Sequence, residues 1–274
     1  MSIYSFSFSP TGTSTQIARS ITAGISEALN IDIHHADLTF NPVGNLELAH
    51  EDIVIVSSPV YGGRIAPLTK QRLSTIQGNG AKCILVAVYG NRAFENALTD
   101  LSEFMSDHGF QVCSAGAFVG EHSYSTPATP IAQGRPDRKD LIDAHTYGKE
   151  IAARICSGQL NMIDVSALID EPSPTESLIN FRNFVMKYQQ EQSLSPKKIL
   201  PVVDMQLCDE CGSCYASCPT GAITADSNEV DSSKCIKCCA CVKICPQNAR
   251  ALSSPFAEPL SENFNRRKSP KWIL

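Results

Sequence analysis

Cysteines at Cys208, Cys211, Cys214 and Cys218, closed by Pro219, recur 27 residues later as Cys235, Cys238, Cys241 and Cys245, closed by Pro246. The same offset carries Val203 and Asp204 onto Val230 and Asp231, and Ala222 onto Ala249, so what repeats is a folding unit and not only a spacing of thiols. Paired C-x-x-C elements can build a tetrahedral zinc site. A third cysteine after two more residues, and a Cys-Pro after three more, does not suit zinc. Four thiolates are needed to hold a cubane of iron and sulfide. Three at this spacing can wrap three corners, and the fourth must arrive from elsewhere in the chain. Disulfides would need an oxidising compartment, and Met1 leads directly into a strand-like stretch with no basic and apolar leader.

Residues 200–254 resemble a two-cluster 4Fe-4S ferredoxin, in which the fourth cysteine of each run ligates the other cluster. The resemblance implies one cluster on Cys208, Cys211, Cys214 and Cys245, and a second on Cys235, Cys238, Cys241 and Cys218. Ligands that cross in this way tie the two repeats into one small domain. Pro219 and Pro246 fix φ where the chain leaves each turn. Cys239 stands outside the repeat and is not counted as a ligand. Cys83, Cys113 and Cys156 fall on expected strands and a helix and read as buried small apolar residues.

A second chemistry-bearing stretch is Ser9-Pro10-Thr11-Gly12-Thr13-Ser14-Thr15, five hydroxyls in seven residues. Residues 3–8 before it alternate apolar and small polar, and Ile17, Ile21, Ile25 and Leu29 after it lie four apart on one helix face. Strand, hydroxyl-rich loop and helix form an anion site, because the first amides of the helix are free and its dipole favours negative charge. The loop holds no Lys or Arg and neither glycine-rich nucleotide motif. It reads as a neutral cradle for one monophosphate, although a well-capped helix uses the same residue types. The apolar runs Asp52–Ser57 and Cys83–Val88 read as buried parallel strands. Their loops offer Pro59, Val60, Tyr61, Gly62 and Gly63, and Tyr89, Gly90, Asn91 and Arg92. Both leave carboxyl ends of strands, where open α/β sheets bind ligands, and each sets an aromatic ring beside glycines that let the backbone approach a planar heterocycle.

Ser9 to Ser14 is similar to the flavodoxin phosphate loop, which implies FMN held by Ser9, Thr11, Gly12, Thr13 and Ser14. Tyr61 then matches the stacking position of the first flavin loop, and Tyr89 to Arg92 the second, with a Gly-Asn-Arg that departs from long-chain flavodoxins. The implied fold is α/β: a flavodoxin-like doubly wound five-stranded parallel sheet, order 2-1-3-4-5, over residues 1–157, plus a small α+β dicluster ferredoxin domain. As a whole the chain resembles the EFR1-type family, which fuses these two modules.

The remaining elements fit that plan. Ile31–Leu38 reads as strand two, Phe94, Leu98, Leu101 and Met105 as a helix face, Gln111–Val119 as strand five and Leu141–Ile155 as the last helix. His122 and Tyr124, in the loop after strand five, are either ordinary loop residues or candidates for a substrate or interdomain contact. A connector, 158–199, carries an expected capping box at Ser173-Pro174-Thr175-Glu176. Its stripe of Leu178, Phe181, Val185 and Tyr188 must be buried, as an interdomain brace or in a homodimer. Residues 255–274 read as a solvated basic tail, with docking as the alternative.

At 274 residues the chain suits one ordinary domain and a small one, with a globular apolar share of 43%. No apolar run approaches a membrane span. A net charge of −5 argues against nucleic acid and toward a partner with a basic face. The reading is a cytoplasmic electron-transfer protein or oxidoreductase of anaerobic metabolism, with FMN and two 4Fe-4S clusters. It exchanges electrons with a redox partner protein or a small-molecule substrate. A pure carrier without a substrate, and an iron–sulfur redox or oxygen-sensing module, are the alternatives.

Overall fold

The apolar run from residue 53 cannot face water on either side, and it forms the centre of a parallel sheet. The computed structural model describes residues 1–224 and 229–274, so four positions of the region 200–254 lie outside the described residues. The chain divides into two units. One comprises Met1–Glu121, Gly134–Glu171 and Arg267–Leu274; the other comprises His122–Gln133 and Pro172–Arg266.

In the first unit, strands β1 (Ile3–Ser7), β2 (His34–Asp37), β3 (Ile53–Tyr61), β4 (Lys82–Tyr89) and β5 (Gln111–Val119) pair in parallel. Their order is β2-β1-β3-β4-β5, the expected doubly wound arrangement. Parallel neighbours need crossovers, here carrying helices α1 (Thr13–Leu29), α2 (Pro67–Leu73) and α3 (Ala97–Asp107), while α4 (Arg138–Cys156) follows the last parallel strand. Strand two is shorter than its apolar pattern suggested, because Ile31 and Ile33 pack against the core from outside the strand. Helices α1 and α4 bury Ile17, Ile21, Ile25, Tyr147 and Ile151 on Ile3, Ile55 and Val86 of the sheet. They cross so closely that a Cβ at Gly24 would lie 2.2 Å from His145 O, and one at Gly148 would lie 2.0 Å from Ile21 O. Helix α4 starts in a capping box of Asp137 and Asp140.

In the second unit a single helix, α5 (Thr175–Leu194), precedes the cysteine region. It starts one residue later than the expected capping box implies: Pro174, not Ser173, is the N-cap, and the proline ring has no group that could cap the first turn. The apolar stripe also differs from expectation: Phe181, Val185 and Tyr188 are half-buried, whereas Leu178 is 48% exposed, and no α5 residue is fully buried. Phe181 and Phe184 meet Phe264 and Phe256 edge-on at 5.2 Å each. In the cysteine region, α6 (Ser213–Ala216) and α7 (Ala240–Lys243) carry Cys214 and Cys241 inside the two motifs, and β6 (Val202–Val203) and β7 (Arg250–Ala251) pair antiparallel around them.

The C-terminal residues, read as a solvated tail, are folded. Helix α8 (Ala257–Asn263) carries part of the small core of Ile131, Leu260 and Phe264 in the second unit. Strand β8 (Lys271–Ile273) adds antiparallel to the β5 edge of the first unit's sheet. An open sheet edge is a row of unpaired backbone groups, and β8 covers this one. Trp272 stacks on Phe118 with centroids 6.2 Å apart and donates to Glu150 Oε2 at 2.7 Å. Among the described residues no helix is long and apolar enough to cross a membrane.

Candidate functional sites

The hydroxyl-rich loop joins β1 to α1 through Gly12, a left-handed N-cap at φ 84° that brings no side chain to the first turn. The first amides of a helix have no intrahelical acceptor. Thr15 N is satisfied by Ser9 Oγ at 3.0 Å, so Ser9 braces the loop, and Ser9 N itself donates to Thr39 Oγ1 at 3.0 Å. Ser7 Oγ and Thr15 Oγ1 share a hydrogen bond of 3.0 Å. Thr11 and Thr13 are half-buried and Ser14 is fully buried. Ser14 O accepts from Ser57 Oγ at 3.1 Å, whereas Ser14 Oγ has no hydrogen-bond partner in the protein. An unsatisfied buried hydroxyl costs about 1–3 kcal/mol, so this oxygen, with the Thr13 and Ser14 amides beside it, fits an anion from outside the chain.

The other two strand-end loops lie in the same unit. At the end of β3, Val60 and Tyr61 fold back on Ile65 and Arg64, and Pro59 O accepts from Ala66 N at 3.1 Å. Gly62 and Gly63 turn the hairpin at φ 60° and 80°, left-handed conformations that favour glycine. Tyr61 is half-buried. Arg64 and Lys70 reach Asp100 Oδ1 at 2.8 and 2.6 Å and hold the hairpin onto α3. At the end of β4, Tyr89 is 4% exposed and packs edge-on against Phe94 at 5.6 Å, so its ring forms a wall of the loop. Burial, with Asp170 nearby, pushes its hydroxyl pKa well up. Gly90 leads to Asn91, which is buried in the left-handed region at φ 65°, and Arg92 pairs with Glu95 at 2.6 Å. Gly120 joins this loop to the first: its amide donates to Tyr89 O at 3.0 Å, and a Cβ there would meet Thr13 Cβ at 3.2 Å.

Further supports lie outside these loops, and one of them, Lys268, belongs to the stretch read as a solvated tail but is buried. Lys268, 5% exposed, donates to Arg92 O at 2.6 Å and to Glu171 O at 2.9 Å, and Asp170 Oδ2 accepts from Phe94 N at 2.7 Å. No local signal marks them, since their partners lie 76 to 176 residues away.

In the second unit the 27-residue repeat is also a repeat of geometry. Asp204 N donates to Ala249 O and Asp231 N to Ala222 O, both at 2.8 Å, so each half closes on the other. Ala222 N donates to Cys218 Sγ and Ala249 N to Cys245 Sγ, both at 3.2 Å. The left-handed residues recur in pairs: Glu210 with Lys237, Gly212 with Cys239, and Gly221 with Asn248. Cys239 therefore occupies the N-cap position of α7 that Gly212 holds in α6. Its side chain is 2% exposed.

Cys218 of the first motif lines one recess with Cys235, Cys238 and Cys241 of the second, together with Cys239, Ile223 and Val230. The cysteines border this space instead of meeting at a point. Among the described residues no three His, Cys, Asp or Glu gather tightly enough for a single ion. Burial pushes the Cys238 thiol up to about 11 and the Cys241 thiol up to about 12. Cys218 is also raised by burial, but hydrogen bonds from Thr220, Ala222 and Ile223 outweigh it and leave the net shift downward. Oligonuclear iron–sulfur clusters require thiolates, and the cationic iron would offset the burial penalty.

The loop after β5 folds within this second unit. His122 Nδ1 accepts from Tyr124 N at 3.0 Å, and Lys243 Nζ of α7 donates to Ser125 O at 2.8 Å. Burial first, then the nearby Cys239 and Cys235, raises the Tyr124 hydroxyl to about 12.

Residues 200–246 match the model of a family described as a 4Fe-4S dicluster domain. The chain is also similar to three solved structures. A flavodoxin from the domain Archaea is 17% identical over 57% of this chain and 99% of its own, with a TM-score of 0.39. A flavodoxin of Streptococcus pneumoniae TIGR4 is 18% identical over 56% and 99%, with a TM-score of 0.41. Rubredoxin oxygen:oxidoreductase from Desulfovibrio gigas is 16% identical over 58% and 36%, with a TM-score of 0.39. No curated protein matches the chain. The chain thus joins a mostly parallel α/β unit to a C-terminal iron–sulfur region, an architecture that supports a redox, electron-transfer role.

Proposed function

We propose that the chain passes single electrons between two 4Fe-4S clusters and an FMN, as a flavin/iron–sulfur oxidoreductase or electron-transfer module of anaerobic metabolism. This is the arrangement of the EFR1-type fusions it resembles. The observation that carries the reading is the recess shared by Cys218 with Cys235, Cys238 and Cys241, since it joins the fourth thiol of one motif to three of the other. Under the repeat, Cys245 completes the equivalent set with Cys208, Cys211 and Cys214. The flavin supplies exchange between one-electron and two-electron chemistry.

The chain's own residues bind and orient. The Thr13 and Ser14 amides and the Ser14 hydroxyl take the phosphate, with Ser9, Thr11 and Gly12 shaping the loop. Tyr61 offers the stacking ring, and Pro59, Val60, Gly62 and Gly63 bring backbone close to the isoalloxazine. Tyr89, Gly90, Asn91 and Arg92 close the other side, where Tyr89 excludes water. The external donor or acceptor is a redox protein with a basic face, matched to the chain's net charge of −5.

The test is anaerobic purification with metal, sulfide and flavin analysis. The expected result is about eight iron atoms and one FMN per chain, falling to about four iron atoms in Cys218→Ser because only one site loses a ligand. Zinc in place of iron, or a full iron complement in Cys218→Ser, would overturn the reading.

A further inference from the structure

The 27-residue repeat makes each half of the cysteine region a control for the other, and the halves differ in charge and in cover. From residue 199 to 231 the chain carries six acids, Asp204, Asp209, Glu210, Asp226, Glu229 and Asp231, and no Lys, Arg or His. From 232 to 257 it carries Lys234, Lys237, Lys243 and Arg250, and no acid. The sign reverses at a matched position: Glu210 and Lys237 are both exposed and share a left-handed φ of 56°. Cover reverses too, since Cys211 lies at the surface while its counterpart Cys238 is buried, and Cys214 is half-buried while Cys241 is buried. Cys211 ends one exposed turn, in which Asp204 O accepts from Leu207 N at 3.2 Å and Cys208 N at 3.1 Å, and Asp209 Oδ1 accepts from Cys211 N at 3.2 Å. Asp209 gives its other oxygen to a neutral donor, Gln247 Nε2 at 3.0 Å, which leaves its charge uncancelled. Leu207 in this turn and Tyr215 just after it are about half exposed, whereas the matched positions hold Lys234 and a half-buried Val242. Large apolar side chains left in water among charged groups mark a surface that another protein covers.

We propose that a redox protein with a basic face docks on the acidic turn 204–215, so that the cluster on Cys208, Cys211, Cys214 and Cys245 is the one that exchanges electrons with the partner; this rests on the two-cluster reading above. Leu207 and Tyr215 supply apolar contact, and Asp204, Asp209 and Glu210 supply a charged rim. Carboxylates with no cation among them attract a positive surface and speed encounter, an effect that salt screens. The second half, with buried thiols and cations only, repels the same partner. Each productive encounter moves one electron: the cluster is oxidised by one and the partner is reduced by one.

The experiment follows, by stopped flow, the oxidation of the reduced anaerobic holoprotein by ferricytochrome c, a basic one-electron haem acceptor, and by a small neutral quinone that needs no docking. Glu210→Lys and Leu207→Lys each copy the residue that the second half carries at the matched position. Each is expected to slow the bimolecular rate with the haem protein about tenfold at low ionic strength and to keep the wild-type rate with the quinone. The deficit of Glu210→Lys should close at high salt. Lys237→Glu, which changes net charge by as much in the opposite direction, should stay within about twofold of wild type. Unchanged rates in both turn variants at full iron content overturn the proposal. So does a Lys237→Glu rate raised as far as Glu210→Lys lowers it, since net charge and not this turn would then set the rate, and so does an equal loss with the quinone. Should Glu210→Lys lose iron, Glu210→Gln, which removes only the charge, takes its place with about a threefold decrease expected. A wild-type iron content near four would instead sink the two-cluster reading itself.

Discussion

Replacing Lys268 by Met keeps the aliphatic stem and removes one buried ammonium from beneath the Tyr89–Arg92 loop. The amine donates to Arg92 O at 2.6 Å and Glu171 O at 2.9 Å and lies 3.4 Å from Asp170 Oδ1. Its side chain is 6% exposed and that of Asp170 is 21% exposed. Breaking a buried pair by removing one partner costs about 3–5 kcal/mol, mostly from the charge left behind. Asp170 keeps the Phe94 amide at 2.7 Å and some solvent, which puts the loss at the lower end, about 3 kcal/mol. With a urea dependence of about 2 kcal/mol per molar, the unfolding midpoint should drop by roughly 1.5 M. Trp272, the single tryptophan, lies four residues on and stacks against Phe118, so its fluorescence reports this unit directly. FMN binding should weaken in parallel, because the 90–94 loop loses its anchor. A midpoint shift under about 0.3 M would show that the amine does not hold the loop, and the reasoning would fail.

Two further outcomes follow from the first unit. Ser14→Ala should lower FMN affinity by about tenfold or more, the worth of one hydrogen bond to a charged group. It should leave the flavin-free protein no less stable than wild type, because Ser14 Oγ has no partner within the chain and its removal relieves an unsatisfied buried group; equal FMN dissociation constants would remove it from the phosphate site. Hydrogen bonds from Arg267, at 2.6 and 3.1 Å, hold the Asp137 carboxyl pKa well below the usual range, helped by the Asp140 amide. A depressed folded value gives stability that is present above the unfolded value of about 3.9 and is lost as pH falls through the folded one. Asp137→Asn should therefore be less stable than wild type at neutral pH and flatter below about pH 4, as read by unfolding midpoints across an acid series. Parallel acid limbs in the two proteins would refute the assignment.

Much of the fold was legible because its signals are local. The runs at 53–57 and 83–88 have no polar face to offer solvent, so they had to become buried parallel strands. The four-residue rhythm of Ile17, Ile21 and Ile25 could only be one face of a helix. The tail was misread for the opposite reason. Arg266, Arg267 and Lys268 look like solvated charge, and Lys271-Trp272-Ile273 is too short to register as a strand. Its pairing partner, the edge of β5, lies more than 150 residues away. The stripe on α5 was visible, but periodicity does not say how deeply a face is covered, and Leu178 remained exposed.

By itself, the order of residues determined the chemistry available: eight cysteines in a repeated run, a hydroxyl-rich loop without cations, and glycines beside aromatic rings. Ligand type and short-range spacing are properties of the chain, and they survive in any conformation. Only the tertiary structure decided which groups became neighbours. It brought Cys218 to the other motif's recess, set Cys239 in the left-handed place of Gly212, carried Lys268 under Arg92, and left Cys211 at the surface where the matching Cys238 is buried. These juxtapositions come from closing long loops around two cores, and the free energy of that closure belongs to the whole fold and not to any stretch of sequence.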